Sequence, residues 1–321
     1  MVTLTDDGAS VRACWEGSGG PAAGLLRYVY DPGEAQLESP RPYFHPVRTL
    51  GGNLVSLYRP HDHVWHKGIA WSLPNVGPEN FWGGPTYLRG CGYRQLPNNG
   101  RIRHDRFGPP VQQLPGQRPP AHGTARITEE LTWITGQGAI WFTEQRRIGV
   151  RVLADAGAWV LSFETTMRNV SGQAITIGSP TTEGRPSAGY GGLFWRGPRS
   201  FTGGRVITPD GEGGDEYMGW RGPWLAFAGR HDGPGGASTV LMADSPGNFS
   251  YPSQWFVRSQ PYACLCPAPF FSEEHTVGGG EALTLGYLVA IADGGLGQAE
   301  CRSLAGRLSA HDVPAGRAAA R

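Results

Sequence analysis

The sequence predicts an all-β fold, a large antiparallel β-sandwich with few helices. Apolar side chains alternate with more polar neighbours along Trp159, Leu161, Phe163, Thr165 and Met167, and again along Leu283, Leu285, Tyr287 and Val289, the period-two pattern of half-buried strands. Fifty glycines and 27 prolines, in turn sequences such as Asn98-Asn99-Gly100 and Pro209-Asp210-Gly211, divide the chain into short segments. The 11 Trp, 11 Tyr and 12 Phe supply more apolar area than a disordered chain carries, and 321 residues are enough for a well-buried core.

In chain order, the first strand is expected at 25–30, where Leu25 and Leu26 lead into Tyr28 and Tyr30. The segment 98–123 is rich in Arg, Pro and Gln without a period and reads as a long loop. Strands at 130–135 and 140–152 follow it, each bounded by Gly, Asn or Asp, and 174–177, 224–228, 239–243 and 255–258 continue the pattern. One stretch has a helical period: over 296–308, Leu296, Ala299, Leu304, Ala305 and Leu308 gather near one face and leave Glu300, Arg302 and Arg307 for the other. No repeat or linker is visible, so residues 1–313 are expected to form one domain, with a disordered tail over 314–321.

A formal net charge of +1 offers no electrostatic case for nucleic acid or an anionic membrane as partner. The N-terminal segment has no basic stretch before an apolar core, and no apolar run approaches eighteen residues, so a cytoplasmic protein without a membrane partner is expected. The five cysteines, Cys14, Cys91, Cys264, Cys266 and Cys301, are odd in number and scattered, which fits reduced, buried thiols. Oligomeric state is not legible.

Chemistry concentrates between Pro60 and Trp71. The run Pro60-His61-Asp62-His63-Val64-Trp65-His66-Lys67-Gly68-Ile69-Ala70-Trp71 holds three imidazoles, one carboxylate, one ammonium and two indoles, and His45 lies shortly before it. Histidine titrates near neutral pH and is the commonest metal ligand. If the run is extended, His61 and His63 share one face and Asp62 the other, and a turn at His66-Lys67-Gly68 could bring His66 back to either. Such a set suits a single divalent metal on His61, His63 and His66. It equally suits cofactor-free acid and base catalysis, with Asp62, His63 and His66 moving protons. It also suits histidines that only bond backbone carbonyls.

A second constellation, Thr181-Thr182-Glu183-Gly184-Arg185, places a carboxylate and a guanidinium two residues apart, with Tyr190-Gly191-Gly192 shortly after. Glu183 is a further catalytic candidate. His45, His61, Lys67, Trp82, Arg185, Tyr190, Trp195 and Arg258 are candidate substrate contacts, the indoles because they stack on the apolar face of a pyranose. Tryptophan is also ordinary sandwich core, and Arg185 an ordinary ion-pair partner.

The runs Tyr43-Phe44-His45-Pro46-Val47, Arg59-Pro60-His61-Asp62-His63-Val64-Trp65-His66-Lys67-Gly68, Asn80-Phe81-Trp82-Gly83, Tyr190-Gly191-Gly192-Leu193-Phe194-Trp195-Arg196 and Trp255-Phe256-Val257-Arg258 resemble a bacterial family known as PmoA-like and labelled methane oxygenase. The resemblance spans roughly residues 25–293. Lys67 departs from it where an arginine or similar residue is expected, and Trp65 where many relatives carry another histidine. The label comes from a multi-span membrane subunit, and a chain without a span does not inherit that activity. Its aromatic, glycine-lined motifs resemble the galactose-mutarotase-like supersandwich of carbohydrate-active enzymes, an analogy of fold that does not fix chemistry. The resemblance implies an enzyme acting on a sugar or glycoside by hydrolysis, elimination or epimerisation. A metal-dependent oxygenase and a non-catalytic sugar-binding sandwich are the alternatives.

Overall fold

The computed structural model describes residues 1–17, 22–108 and 124–308. Two large sheets face each other. One has eight strands in the order Val2–Asp6, Ser10–Trp15, Ala23–Val29, Tyr43–Val47, Ile69–Ser72, Gly192–Arg196, Cys264–Ala268 and Gln254–Arg258. The other has nine: Gly211–Gly213, Arg205–Thr208, Trp224–Arg230, Ala237–Asp244, Ala282–Asp293, Ala158–Asn169, Ile140–Leu153, Thr124–Ile134 and Arg101–Phe107. Neighbouring strands pair antiparallel throughout both sheets. The predicted sandwich is therefore what the chain forms.

Alternation along each strand decides where the core sits. From the eight-stranded sheet, Tyr28, Phe44, Trp71, Leu193, Trp195 and Trp255 point inward; from the other sheet, Trp133, Ile148, Phe163, Phe227 and Tyr287 meet them in one buried cluster. Trp71 lies 6.2 Å from Phe163 and 6.1 Å from Tyr287, ring centre to ring centre, and so bridges the sheets. Charged groups are enclosed as well: Arg146 donates to Glu144 at 2.8 and 3.0 Å and to the Tyr28 hydroxyl at 3.0 Å, while that hydroxyl donates to Glu129. Every member of this network is hydrogen-bonded, which burial demands.

The outer face of the nine-stranded sheet is covered by the C-terminal helix. It runs Gln298–Gly306, within the predicted 296–308, and buries Cys301 and Leu304 against Val160, Leu241 and Ala290. The outer face of the eight-stranded sheet carries a different cluster, in which Trp82, Phe194, Phe256, Cys264, Cys266 and Phe271 are buried and Trp65, Tyr190 and Tyr262 pack on them. The site is built on this face.

Three expectations need correction. The stretch 98–123 is not a loop throughout, because Arg101–Phe107 is a strand paired with Thr124–Ile134; residues 109–123 and the tail at 314–321 lie outside the described residues. Not every cysteine is buried: Cys264, Cys266 and Cys301 are, but Cys91 is exposed, and all five are free thiols. The histidine run is not extended, since the His63 amide donates to the Pro60 carbonyl at 3.1 Å and the His66 amide to that of His63 at 2.9 Å, which coils it into consecutive turns. Among the described residues no helix is long and apolar enough to cross a membrane.

Candidate functional site

The coiled run between strands Tyr43–Val47 and Ile69–Ser72 lies over the outer face of the eight-stranded sheet, held there from below. Arg41, buried, donates to the Trp65 carbonyl at 2.7 Å. Gly83 is needed opposite: its φ is +102°, and a Cβ there would stand 2.6 Å from Cβ of Trp65 and 2.7 Å from the Glu38 carbonyl oxygen. These contacts hold Trp65 on the cluster that also contains Trp82. The result is a pocket of about 300 Å³ whose wall includes Trp65, Trp82, Tyr93, Tyr190, Phe194, Phe256 and Tyr262, with His63, His66, Arg185 and Arg258 as its charged or titratable members.

The imidazoles of His63 and His66 stack, 4.6 Å apart with planes 7° from parallel. Their Nδ1 edges meet one ion pair, because Arg196 donates to the Asp62 carboxylate at 2.8 Å. His63 Nδ1 lies 2.8 Å from Asp62 Oδ2, and His66 Nδ1 lies 3.1 Å from Nη1 of Arg196. A carboxylate only accepts and a guanidinium only donates, so His63 carries its proton on Nδ1 and His66 on Nε2. One ring thus offers a lone pair on Nε2 and its neighbour an N–H. Burial foremost, with the guanidinium charges of Arg196 and Arg41, holds His66 well below the usual histidine range, so it is neutral. Although burial opposes it, hydrogen bonds from His63 and Arg196 hold Asp62 far below the usual carboxylate range, a permanent anion.

Arg196 is the hub of this arrangement. Its side chain is 1% exposed, its guanidinium lies 3.7 Å from the ring centre of Tyr262, and it comes from strand Gly192–Arg196, whose odd positions fill the core. Across the pocket Arg185 donates to the Tyr93 hydroxyl, which lies 2.9 Å from that of Tyr190, and burial raises Tyr190 well above the usual tyrosine range. Burial raises Tyr262 likewise. Both phenols therefore stay protonated.

Of the residues expected from sequence, His63, His66, Trp82, Arg185, Tyr190 and Arg258 line the pocket together, and Asp62 stands behind the histidines. The others lie elsewhere. Lys67 is enclosed, 1% exposed, in an ion-pair group with Glu38 and Glu34 that Arg59 completes. Trp195 points into the core, donating from Nε1 to the Val55 carbonyl at 2.7 Å. Glu183 is on the surface, 3.9 Å from Arg89. Exposed His61 accepts from Arg199 at 2.5 Å. His45 Nδ1 lies 2.8 Å from the Ser56 hydroxyl, which takes the Val47 amide. Among the described residues no three His, Cys, Asp or Glu are grouped to hold a metal. Sequence reasoning missed Tyr93, Tyr262, Phe194, Phe256 and Arg196 as site residues.

A family model described as a family of unknown function, DUF6807, matches residues 22–306. The chain belongs to that family. The DUF6807 match takes in every residue of the pocket wall and the whole of both sheets except Val2–Asp6 and Ser10–Trp15. None of the curated proteins matches the chain. Solved structures similar to it include the GH36 alpha-galactosidase AgaB from Geobacillus stearothermophilus, 11% identical with a TM-score of 0.38 over 92% of this chain and 41% of that one. The alpha-galactosidase from Lactobacillus brevis is 8% identical with a TM-score of 0.34, covering 92% and 40%. The chain spans less than half the length of either.

One prediction arises from the neutral histidines. Burial lowers His45 to about 4, with help from Arg48. Between that value and the ordinary 6.5, the unfolded chain binds protons that the folded chain refuses, so stability rises with pH. The melting temperature should fall as pH is lowered from 6.5 toward 4, and His45→Gln should reduce the slope. Equal slopes for both proteins would show that His45 is not a buried neutral group.

Proposed function

We propose that the pocket binds a sugar and begins its chemistry by removing a proton, with His63 as the base and His66 as a hydrogen-bond donor. The observation that supports this is the pair of opposite tautomers imposed on two stacked rings by Arg196 and Asp62. His63 Nε2 takes a proton from a carbon beside a carbonyl. The C–H electron pair becomes the new carbon–carbon π bond, and the carbonyl π pair moves onto oxygen, where it accepts the Nε2–H of His66. A neutral imidazole is suited to that task, and Arg196 on its far nitrogen offsets the charge it takes on. Return of the proton to the neighbouring carbon, or to the opposite face of the same one, yields isomerisation or epimerisation; loss of a group from the next carbon yields elimination. Hydrolysis between paired carboxylates is not supported, because no Asp or Glu is among the residues that line the pocket.

The sugar is supported by the wall. Trp82 and Tyr190, with ring centres 4.7 Å apart, and Phe256 beside them present aromatic faces with few polar groups between, as a pyranose requires. The PmoA-like resemblance stays with this reading, since Asp62, His63, His66, Trp82 and Arg196 all fall in the runs that carry it. Incubated in D2O with a panel of aldoses, ketoses and uronates, the protein should exchange a carbon-bound proton of one of them, followed by NMR. Trp82→Ala should weaken binding of that sugar by about 1–3 kcal/mol, by analogy with bases stacked on aromatics. Binding without exchange by any member of the panel would leave a sugar-binding sandwich and remove the catalytic reading.

A further inference from the structure

Two guanidinium groups share the pocket with no carboxylate in its wall. Arg185 arrives from the loop before strand Gly192–Arg196, its guanidinium 4.9 Å from the ring centre of Tyr93 and its Nη1 on that residue's hydroxyl. Arg258 ends strand Gln254–Arg258 on the same face as Phe256, and its nearest acid, Asp215, stands 3.9 Å away, beyond hydrogen-bond reach. Asp215 takes the amides of Ser259 and Gln260 on Oδ1, at 2.5 and 3.1 Å, and turns Oδ2 to Arg258 at the outer limit of an ion pair. The third arginine of the region, Arg196, is neutralised by Asp62 behind the histidines. With Arg185 held by a phenol and Arg258 only loosely paired with Asp215, the cavity keeps positive charge that a ligand can take, and its aromatic wall strengthens that field.

Resting on the sugar reading above, we propose that the ligand carries an anionic group, a carboxylate or a phosphate, which Arg185 and Arg258 take while the ring lies against Trp82 and Tyr190. A pocket of about 300 Å³ is at the small end of ligand sites and suits one ring with its substituents. Both anions meet the planar guanidinium fork in two-point contact, and the carboxylate is the smaller, as a pocket of this volume favours. A hexuronate is thus the class of sugar that the site fits.

Binding of D-glucuronate, D-galacturonate, D-glucose 6-phosphate, D-glucose and D-galactose, followed by isothermal titration calorimetry and by tryptophan fluorescence, tests this. An anionic sugar should bind the wild-type chain at least about tenfold more tightly than its neutral counterpart, the scale of one charge-assisted hydrogen bond. The uronate and phosphate arms tell the two anions apart. Arg185→Gln and Arg258→Gln should each reduce that ratio toward one. Equal binding of charged and neutral sugars by the wild type would overturn the anion proposal while the sugar reading stands. Acetate or inorganic phosphate binding as tightly as any sugar would do the reverse. The wild-type ratio needs no variant to fold, and the variants are read only after melting shows them folded.

Discussion

His63→Ala is expected to lower kcat on the responding sugar by about 10²–10⁴-fold, the usual contribution of a positioned base, with KM changed little. The ring makes no hydrogen bond that the fold depends on: its one partner, Asp62, keeps Arg196 at 2.8 Å and Arg199 at 3.3 Å when the imidazole is gone. The melting temperature should accordingly move by little, and the loss should appear in kcat. Asp62→Asn is the sharper companion. Arg196 and His63 both meet Oδ2, so the amide oxygen takes that place and keeps both contacts, and the amide nitrogen faces Arg199. What is lost is the negative charge that steadies the imidazolium His63 becomes on taking a proton, so the base is weakened with little change in shape. Both variants should fail in kcat, in deuterium exchange of the sugar C–H and in nothing else. Full activity in folded His63→Ala would show that His63 is not the base.

How much of this could be read from sequence depends on the distance over which each feature is decided. The strands 159–167 and 283–289 declare themselves because alternation is local, and Ala158–Asn169 and Ala282–Asp293 are indeed adjacent in the nine-stranded sheet. The strand Gly192–Arg196 shows what alternation leaves open. Aromatic residues occupy Phe194 and Trp195 in succession, so the pattern does not say which faces the core; the structure sends Trp195 inward and Phe194 and Arg196 out to the site. Lys67 looked like part of a polar run, and only the long-range approach of Glu34 and Glu38 makes it a buried ion-pair partner. Tyr93 and Tyr262 belong to segments without any motif, and the sheet order alone brings them to His66 and Arg185. Short-range density did point to the region where the pocket forms, because the turns of a coiled loop bring several titratable groups close together more readily than a strand does.

Arg196→Met is expected to have the largest combined effect of any single change at the site. Its guanidinium is enclosed beneath Tyr262 and joins Asp62 to His66, so removal leaves a carboxylate short of a partner and opens space against an aromatic ring. Breaking a buried ion pair costs ~3–5 kcal/mol, and the lower figure applies because Asp62 is 27% exposed and retains Arg199. A fall of several degrees or more in melting temperature follows. The second effect is on charge. Arg196 is one of the groups that depress His66, so without it His66 should titrate closer to the ordinary range, and with Nδ1 released the proton is no longer confined to Nε2. The His66 ring resonances, silent to pH in the wild type near neutrality, should then move with pH. Arg196→Lys separates the two effects: an ammonium can pair with Asp62 and recover part of the stability, but as a single point it cannot also hold His66 in its tautomer. Activity in Arg196→Lys should therefore stay low while the melt partly recovers. Recovery of both together would mean that Arg196 serves the fold alone, and the donor role assigned to His66 would fall with it.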